Sequence, residues 1–284
     1  MLLFLFSLGQ QGTLIQLDQE VSFIAASPAD SQAALVTPDG QLMIFTPGKA
    51  PVPVADSVTQ WGVCFSPDGK SLAFLRDGRV TVSTLDGHIT WQSEEFEDPG
   101  YPVWVDSKGV AYTGDGQLFL PGRTLPGVDA ATISINPLTG LVAFCDIQGK
   151  SVFTIDPATG ERLSVFSDPD SLVLFGPRWS PDGRLMIVCR AGPGFWVGDP
   201  ALGWKLVSPG EAPSWSPDGT RLVYQVSFDD GHRILSAEIF LYDLATGVTE
   251  KVAGVSDRLS PVFGKGVIYY VTLDGQAGCL GVER

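Results

Sequence analysis

An all-β fold, a seven-bladed β-propeller of four-stranded antiparallel blades, is what this sequence predicts, on three observations. The tetrapeptide Ser-Pro-Asp-Gly occurs three times, at Ser66–Gly69, Ser180–Gly183 and Ser216–Gly219. Each copy follows an aromatic residue (Phe65, Trp179, Trp215) and precedes an apolar run (Leu72–Leu75, Leu185–Val188, Leu222–Tyr224). The 284 residues include 33 Gly and 21 Pro but only 18% charged side chains, a composition of strands and turns. A motif that recurs along a chain marks a stack of like units.

The clean copies locate the degenerate ones. Ser27-Pro28-Ala29-Asp30 precedes Ala33–Val36, and Asp106-Ser107-Lys108-Gly109 precedes Val110–Tyr112. Asn136–Gly140 precedes Leu141–Phe144, and Phe263–Gly266 precedes Val267–Val271. Seven copies therefore start near residues 27, 66, 106, 136, 180, 216 and 263. Their mean spacing of about 39 residues is close to that of a four-stranded blade. The short third repeat, 30 residues between the starts at 106 and 136, leaves an irregular six-bladed ring as the alternative.

Within each repeat the strands follow in order. A short strand a ends at the aromatic residue. The Pro-Asp-Gly turn reverses the chain, Pro presetting φ and Gly supplying a positive φ. Strand b follows. A second Gly turn (Pro38–Gly40, Arg76–Gly78, Gly114–Gly116) leads to strand c, which includes Val152–Ile155 and Ile239–Tyr242. A further Gly turn, such as Ala245–Gly247, leads to the outer strand d. Six sets are complete between Val21 and Val252.

The seventh set is split, and the whole of residues 1–284 is expected to form one domain closed by a blade shared between the N- and C-termini. Residues 258–284 supply strands a and b. Leu3–Leu17 resembles the c-turn-d hairpin Ile239–Val252, while Cys279–Glu283 also reads as a strand c, so two segments compete for that place. Closure removes the open edges of a sheet array.

The net charge of −14 repels a phosphate backbone and an anionic bilayer, so neither nucleic acid nor membrane is an expected partner, and no stretch is long enough to span a bilayer. Residues 2–6 are apolar, but no Lys or Arg occurs before Lys49, so they read as a strand rather than a secretory signal. Cys64, Cys145, Cys189 and Cys279 form no CxxC pair and read as buried thiols. Cys145 and Cys189 should hold equivalent places on successive blades, too far apart for a disulfide.

With the repeats laid out, the pattern aromatic-Ser-Pro-Asp-Gly-x-x-apolar-apolar-aromatic resembles the PD-type, WD-like repeat of TolB-family propellers. Related repeats occur in the propellers of prolyl oligopeptidase-type and tricorn-type proteins. Residues 62–75, 176–189 and 212–226 carry the resemblance. It implies a bacterial, extracytoplasmic, non-enzymatic scaffold. Seven copies and the lack of an extra N-terminal domain depart from TolB itself.

The motif aromatics Phe65, Trp179 and Trp215 recur at one blade position, which points to wedging between blades. Asp68, Asp182 and Asp218 recur within turns, where they are expected to accept backbone hydrogen bonds. Function belongs where repeats differ. The irregular d–a loops Ser93–Pro102 and Ser167–Pro177 and the b–c insertion Ser227–Ala237 share one face. They mix acidic residues with Phe96, Tyr101, Leu172, Leu174, Phe175 and Phe228. Phe96, Tyr101, Asp168, Asp170, Phe175, Asp229, Asp230 and His232 are the expected binding residues. The expected occupant is a protein or peptide, basic in character, bound by a monomer. The alternative is a small-molecule or carbohydrate binder, or an enzyme, using the channel mouth. Asp168-Pro169-Asp170 and Asp229-Asp230 offer hard oxygen ligands for calcium but match no calcium-loop pattern, so no metal or other cofactor is expected. No GxSxG, HExxH, P-loop or GxGxxG motif occurs. His88 and His232 fall on opposite faces. No catalytic residue is expected.

Overall fold

Seven four-stranded antiparallel sheets form the computed structural model, which describes residues 13–15, 17, 19–106 and 109–282. Blade 1 contains Phe23–Ala26, Ala33–Val36, Leu42–Phe45 and Val52–Ala55 as strands a to d. Blade 2 follows with Cys64–Phe65, Ser71–Arg76, Arg79–Thr84 and Ile89–Gln92. Blade 3 has Val103–Trp104, Val110–Gly114, Gln117–Leu120 and Arg123–Pro126. Blade 4 has Ile133–Ile135, Val142–Cys145, Val152–Ile155 and Arg162–Phe166. Blade 5 has Leu174–Trp179, Met186–Arg190, Phe195–Asp199 and Gly203–Val207. Blade 6 has Glu211–Trp215, Arg221–Asp229, Ile234–Asp243 and Thr249–Ser256. Each of the seven repeat starts read from the sequence falls where strand a of a blade gives way to strand b, and the short third repeat is a complete blade.

Blade 7 takes strands a, b and c from Arg258–Gly264, Val267–Thr272 and Ala277–Gly281, and strand d from Thr13–Leu14. The register Tyr269↔Cys279 puts the C-terminal segment beside strand b, and Thr13↔Cys279 adds the N-terminal strand outside it. The competition for strand c is thereby decided for the C-terminal segment. The expected strand at residues 2–6, and the first part of Leu3–Leu17, lie outside the described residues.

The turn chemistry repeats with the motif. Ser66, Ser180 and Ser216 donate their hydroxyls to Asp68, Asp182 and Asp218 at 2.7, 2.6 and 2.6 Å. The same carboxylates accept the backbone N–H groups of Lys70, Arg184 and Thr220 at 3.1, 3.2 and 3.0 Å. Gly69, Gly183 and Gly219 sit at φ of 71°, 68° and 71°, where a side chain would be strained. These are local interactions, which is why the tetrapeptide recurs intact.

The core is divided into seven apolar seams, each between neighbouring blades. Ile24, Leu35 and Phe45 of blade 1 pack on Val267, Tyr269 and Val271 of blade 7. Ala73, Leu75 and Val80 of blade 2 pack on Val110 and Tyr112 of blade 3. Strands b and c are therefore covered on both sides and read as continuous apolar runs, as in Ala33–Val36 and Leu42–Phe45. The outer strand Ile89–Gln92 is exposed throughout. Polar ties join the inner strands of adjacent blades. Trp104 Nε1 donates to the Cys64 carbonyl at 3.3 Å, and Trp215 Nε1 to the Arg178 carbonyl at 3.2 Å. The motif tryptophan of blade 6 thus spans a seam, as its recurrence implied.

Candidate functional site

Inner strands of all seven blades surround one cavity of about 570 Å³ at the end of the central channel where the d–a and b–c connections lie. That end is called the mouth face below. Three inner strands carry a bulge at the mouth: between Phe175 and Arg178, Glu211 and Ser214, and Leu259 and Val262. At each, a residue before proline takes a left-handed φ: Gly176 at 57°, Ala212 at 47° and Ser260 at 50°. A bulge re-aims the side chains beside it, and these three shape the wall over blades 5 to 7.

Strand register stacks the wall in tiers. Ala25, Cys64, Val103, Ser134, Arg178 and Ser214 hold the same place, one residue before the end of the inner strand's pairing with strand b, and Val262 matches them in blade 7, where the pairing runs one residue further to Gly264. Arg178 is the one charged residue among them. Three others tie neighbouring blades: Cys64 Sγ donates to the Pro102 carbonyl at 3.2 Å, while Ser134 Oγ and Ser214 Oγ accept the N–H groups of Trp179 and Phe263 at 3.0 and 3.3 Å. Above them the wall is aromatic, with Phe23, Trp61, Tyr101 and Phe175. Trp61 and Phe175 are 51% and 49% exposed. The Tyr101 side chain packs directly against Gly62, where an added Cβ would sit 2.4 Å from its Cδ1. Burial, with Asp98 nearby, raises the Tyr101 phenol.

The expected binding residues separate into three groups. Tyr101 and Phe175 line the cavity. Asp170, Asp229, Asp230 and His232 are exposed on the mouth face. Phe96 and Asp168 are buried rather than surface contacts, contrary to expectation. Phe96 is 5% exposed and packs between blades 2 and 3 against the Tyr112 and Phe119 rings. The Asp168 carboxylate is fully buried. It accepts Trp196 Nε1 at 2.8 Å and the Asp170 N–H at 2.8 Å, and lies 3.4 Å from Arg190 Nε. Arg190 also donates to Asp170 at 2.9 Å. The Nε contact is coulombic only, since its geometry is not that of a hydrogen bond. This network anchors the loop that delivers Phe175.

The other acidic loop residues are engaged locally. Asp229 accepts the Gly231 N–H at 2.8 Å, and Asp230 accepts the N–H groups of His232 and Arg233, both at 2.9 Å. Those backbone bonds hold the Asp230 carboxyl below the usual range. Among the described residues no group of three or more His, Cys, Asp or Glu is placed to hold a metal. His88 lies in the c–d turn of blade 2 and His232 in the b–c turn of blade 6, at opposite ends of their blades. The four cysteines are free, and burial pushes the Cys64 and Cys145 thiols up to about 12.

Charge is divided unequally between the faces. Each charged residue can be assigned to the connection or strand end it occupies. With the paired Glu238 and Lys251 and the channel-lining Arg178 left out and histidine neutral, the described mouth face holds 18 carboxylates and 6 Lys or Arg, a net of −12. The opposite face holds 11 and 8, a net of −3. The mouth face also exposes Trp61, Ile147, Val173, Phe175, Phe228 and Leu235, between 47% and 78% each. On the opposite face Leu138, Leu202 and Val248 are exposed on three separate turns, and Val52, Ile89 and Leu163 at the near ends of three outer strands. Trp61, Ile147, Leu235, Glu211 and Arg178 were not singled out from the sequence. For Arg178 a signal existed: aligning the residue before each motif aromatic shows it as the one charge.

The chain is thus a β-propeller with seven blades. No protein-family model matches it, and no curated protein matches it in sequence. Solved structures do resemble it. Virginiamycin B lyase from Staphylococcus aureus superposes with a TM-score of 0.69 at 12% identity, over 96% of this chain and 99% of that one. The Cps50 (Swd1) propeller domain of Myceliophteria thermophila gives 0.70 at 13%, over 96% and 100%. A chain of a mitotic checkpoint complex gives 0.70 at 13%, over 95% and 92%. At such identities the likeness concerns the fold. One of these proteins is an enzyme and another is part of an assembly.

Proposed function

We propose that this protein is a non-enzymatic interaction module whose mouth face binds a protein or peptide carrying basic and apolar side chains. The observation that carries this reading is the coincidence on one face of most of the net charge and a set of exposed apolar residues. Scattered apolar side chains need no explanation, but a group ringed by one sign of charge is the composition of a recognition surface. Its field attracts and orients a basic partner, and the apolar contacts hold it. The Ser-Pro-Asp-Gly repeats support a place among TolB-like propellers. The solved neighbour found in a mitotic checkpoint complex is in keeping with such a role.

The test compares the wild type with a Phe175→Ala/Phe228→Ala/Leu235→Ala variant in capture from a lysate of the native source. The expected result is a basic protein retained by the wild type, lost by the variant, and released between 0.1 and 0.5 M salt. An identical set of proteins on both baits, or one insensitive to salt, would overturn the reading.

A further inference from the structure

The channel cavity has a chemistry opposite to that of its rim. Its walls are mainly apolar, and its one charged residue at the level of the inner ring is Arg178. Arg178 is exposed and forms no ion pair among the described residues. Glu211 is the one carboxylate of the cavity lining and is hydrogen-bonded away from Arg178, accepting Gln225 Nε2 at 3.2 Å and Ser227 Oγ at 2.5 Å. The second lining guanidinium, Arg190, is held by Asp168 and Asp170. A guanidinium kept free of counter-charge in an acidic protein is available to an oxyanion. Beside it lies the Cys189 thiol, pushed up by burial while the guanidinium pulls the other way.

We infer that the channel mouth is a binding site for a small aromatic organic anion, its acid group on Arg178 and its ring system among Trp61, Tyr101 and Phe175. The cavity of about 570 Å³ lies within the usual range for small-molecule sites, and a few polar groups in an apolar wall are their common form. Offset or edge-on contact with aromatic side chains suits a flat ring. Carboxylates and sulfonates share the required chemistry. Phosphorylated sugars do not, since their hydroxyls would be stranded against the apolar wall. The site shares Trp61 and Phe175 with the protein-partner surface proposed above, but Arg178 and the small probes used below test it separately from that reading.

The test uses two fluorescent probes with the same ring skeleton: 8-anilinonaphthalene-1-sulfonate, an anion, and N-phenyl-1-naphthylamine, which is neutral. The purified chain should bind the anion at one site and more tightly than the neutral probe. Arg178→Gln should weaken the anion about ten- to a hundredfold, the range for a charged hydrogen bond, and leave the neutral probe unchanged. Phe175→Ala should weaken both. A competition on the wild type alone guards against a variant that fails to fold: 1-naphthoate should displace the anionic probe at about a tenth or less of the concentration that 1-naphthalenemethanol requires. No anion binding, equal affinity of wild type and Arg178→Gln, a preference for the neutral probe, or equal displacement by acid and alcohol would each overturn the inference.

Discussion

Removing the Asp168 carboxylate should be one of the most damaging single changes outside the apolar seams. The Asp168 and Arg190 side chains are 0% and 6% exposed, and Trp196 Nε1 donates to the same carboxylate oxygen. Asp168→Ala would leave a buried guanidinium short of a counter-charge and a buried indole N–H without an acceptor. Breaking one partner of a buried pair costs about 3–5 kcal/mol. Asp170 keeps its 2.9 Å contact with Arg190 but is itself 68% exposed, so it offsets little. For a chain of this length about 2 °C of melting temperature accompanies each kcal/mol, so the expected fall is about 6–10 °C. The assay is thermal unfolding followed by near-ultraviolet circular dichroism, where the Trp196 and Trp204 environments report directly. The paired replacement Asp168→Leu/Arg190→Met should recover much of the loss, because no charge is then left buried. A fall of under 2 °C for Asp168→Ala, or a double variant worse than the single one, would refute the argument.

Three other outcomes follow from the same structure. Phe96→Ala should cost about 3–5 kcal/mol of stability, because it empties a site packed by Tyr112 and Phe119, and should show in denaturant titration rather than as a selective loss of binding. Hydrogen bonds lower the Asp68 and Asp230 carboxyls below their unfolded values, so their contribution is present above about pH 4 and is lost as pH falls through the folded values. Melting temperature should accordingly drop as the pH is taken below about 4, and a flat profile there would contradict the turn geometry. EDTA should leave the melting temperature within about 1 °C, because Asp229 and Asp230 already serve loop N–H groups; a larger fall would reveal a metal linked to folding.

The part of this protein legible in the sequence is the part governed by short-range chemistry. Ser-Pro-Asp-Gly encodes a turn through one hydroxyl, one carboxylate and one left-handed glycine within four residues, so its three copies stood out, four degenerate ones could be aligned to them, and seven blades were expected. The placement of the acidic loops on one face followed from strand order alone. What needed the tertiary structure was every property that depends on the neighbouring blade. Phe96 and Phe175 look alike in sequence, each an aromatic residue in an acidic loop. Phe96 meets Tyr112 and Phe119 of the next blade and is buried, while Phe175 opens onto the channel. Asp168 and Asp170 are two residues apart, yet one is sealed beneath Trp196 and the other exposed. Strand c of the closing blade had two candidates of equal pattern, and pairing with Val267–Thr272 selected the C-terminal one. Local turns are decided by the residues within them; burial, and with it the line between core and binding surface, is decided by segments far apart in the chain.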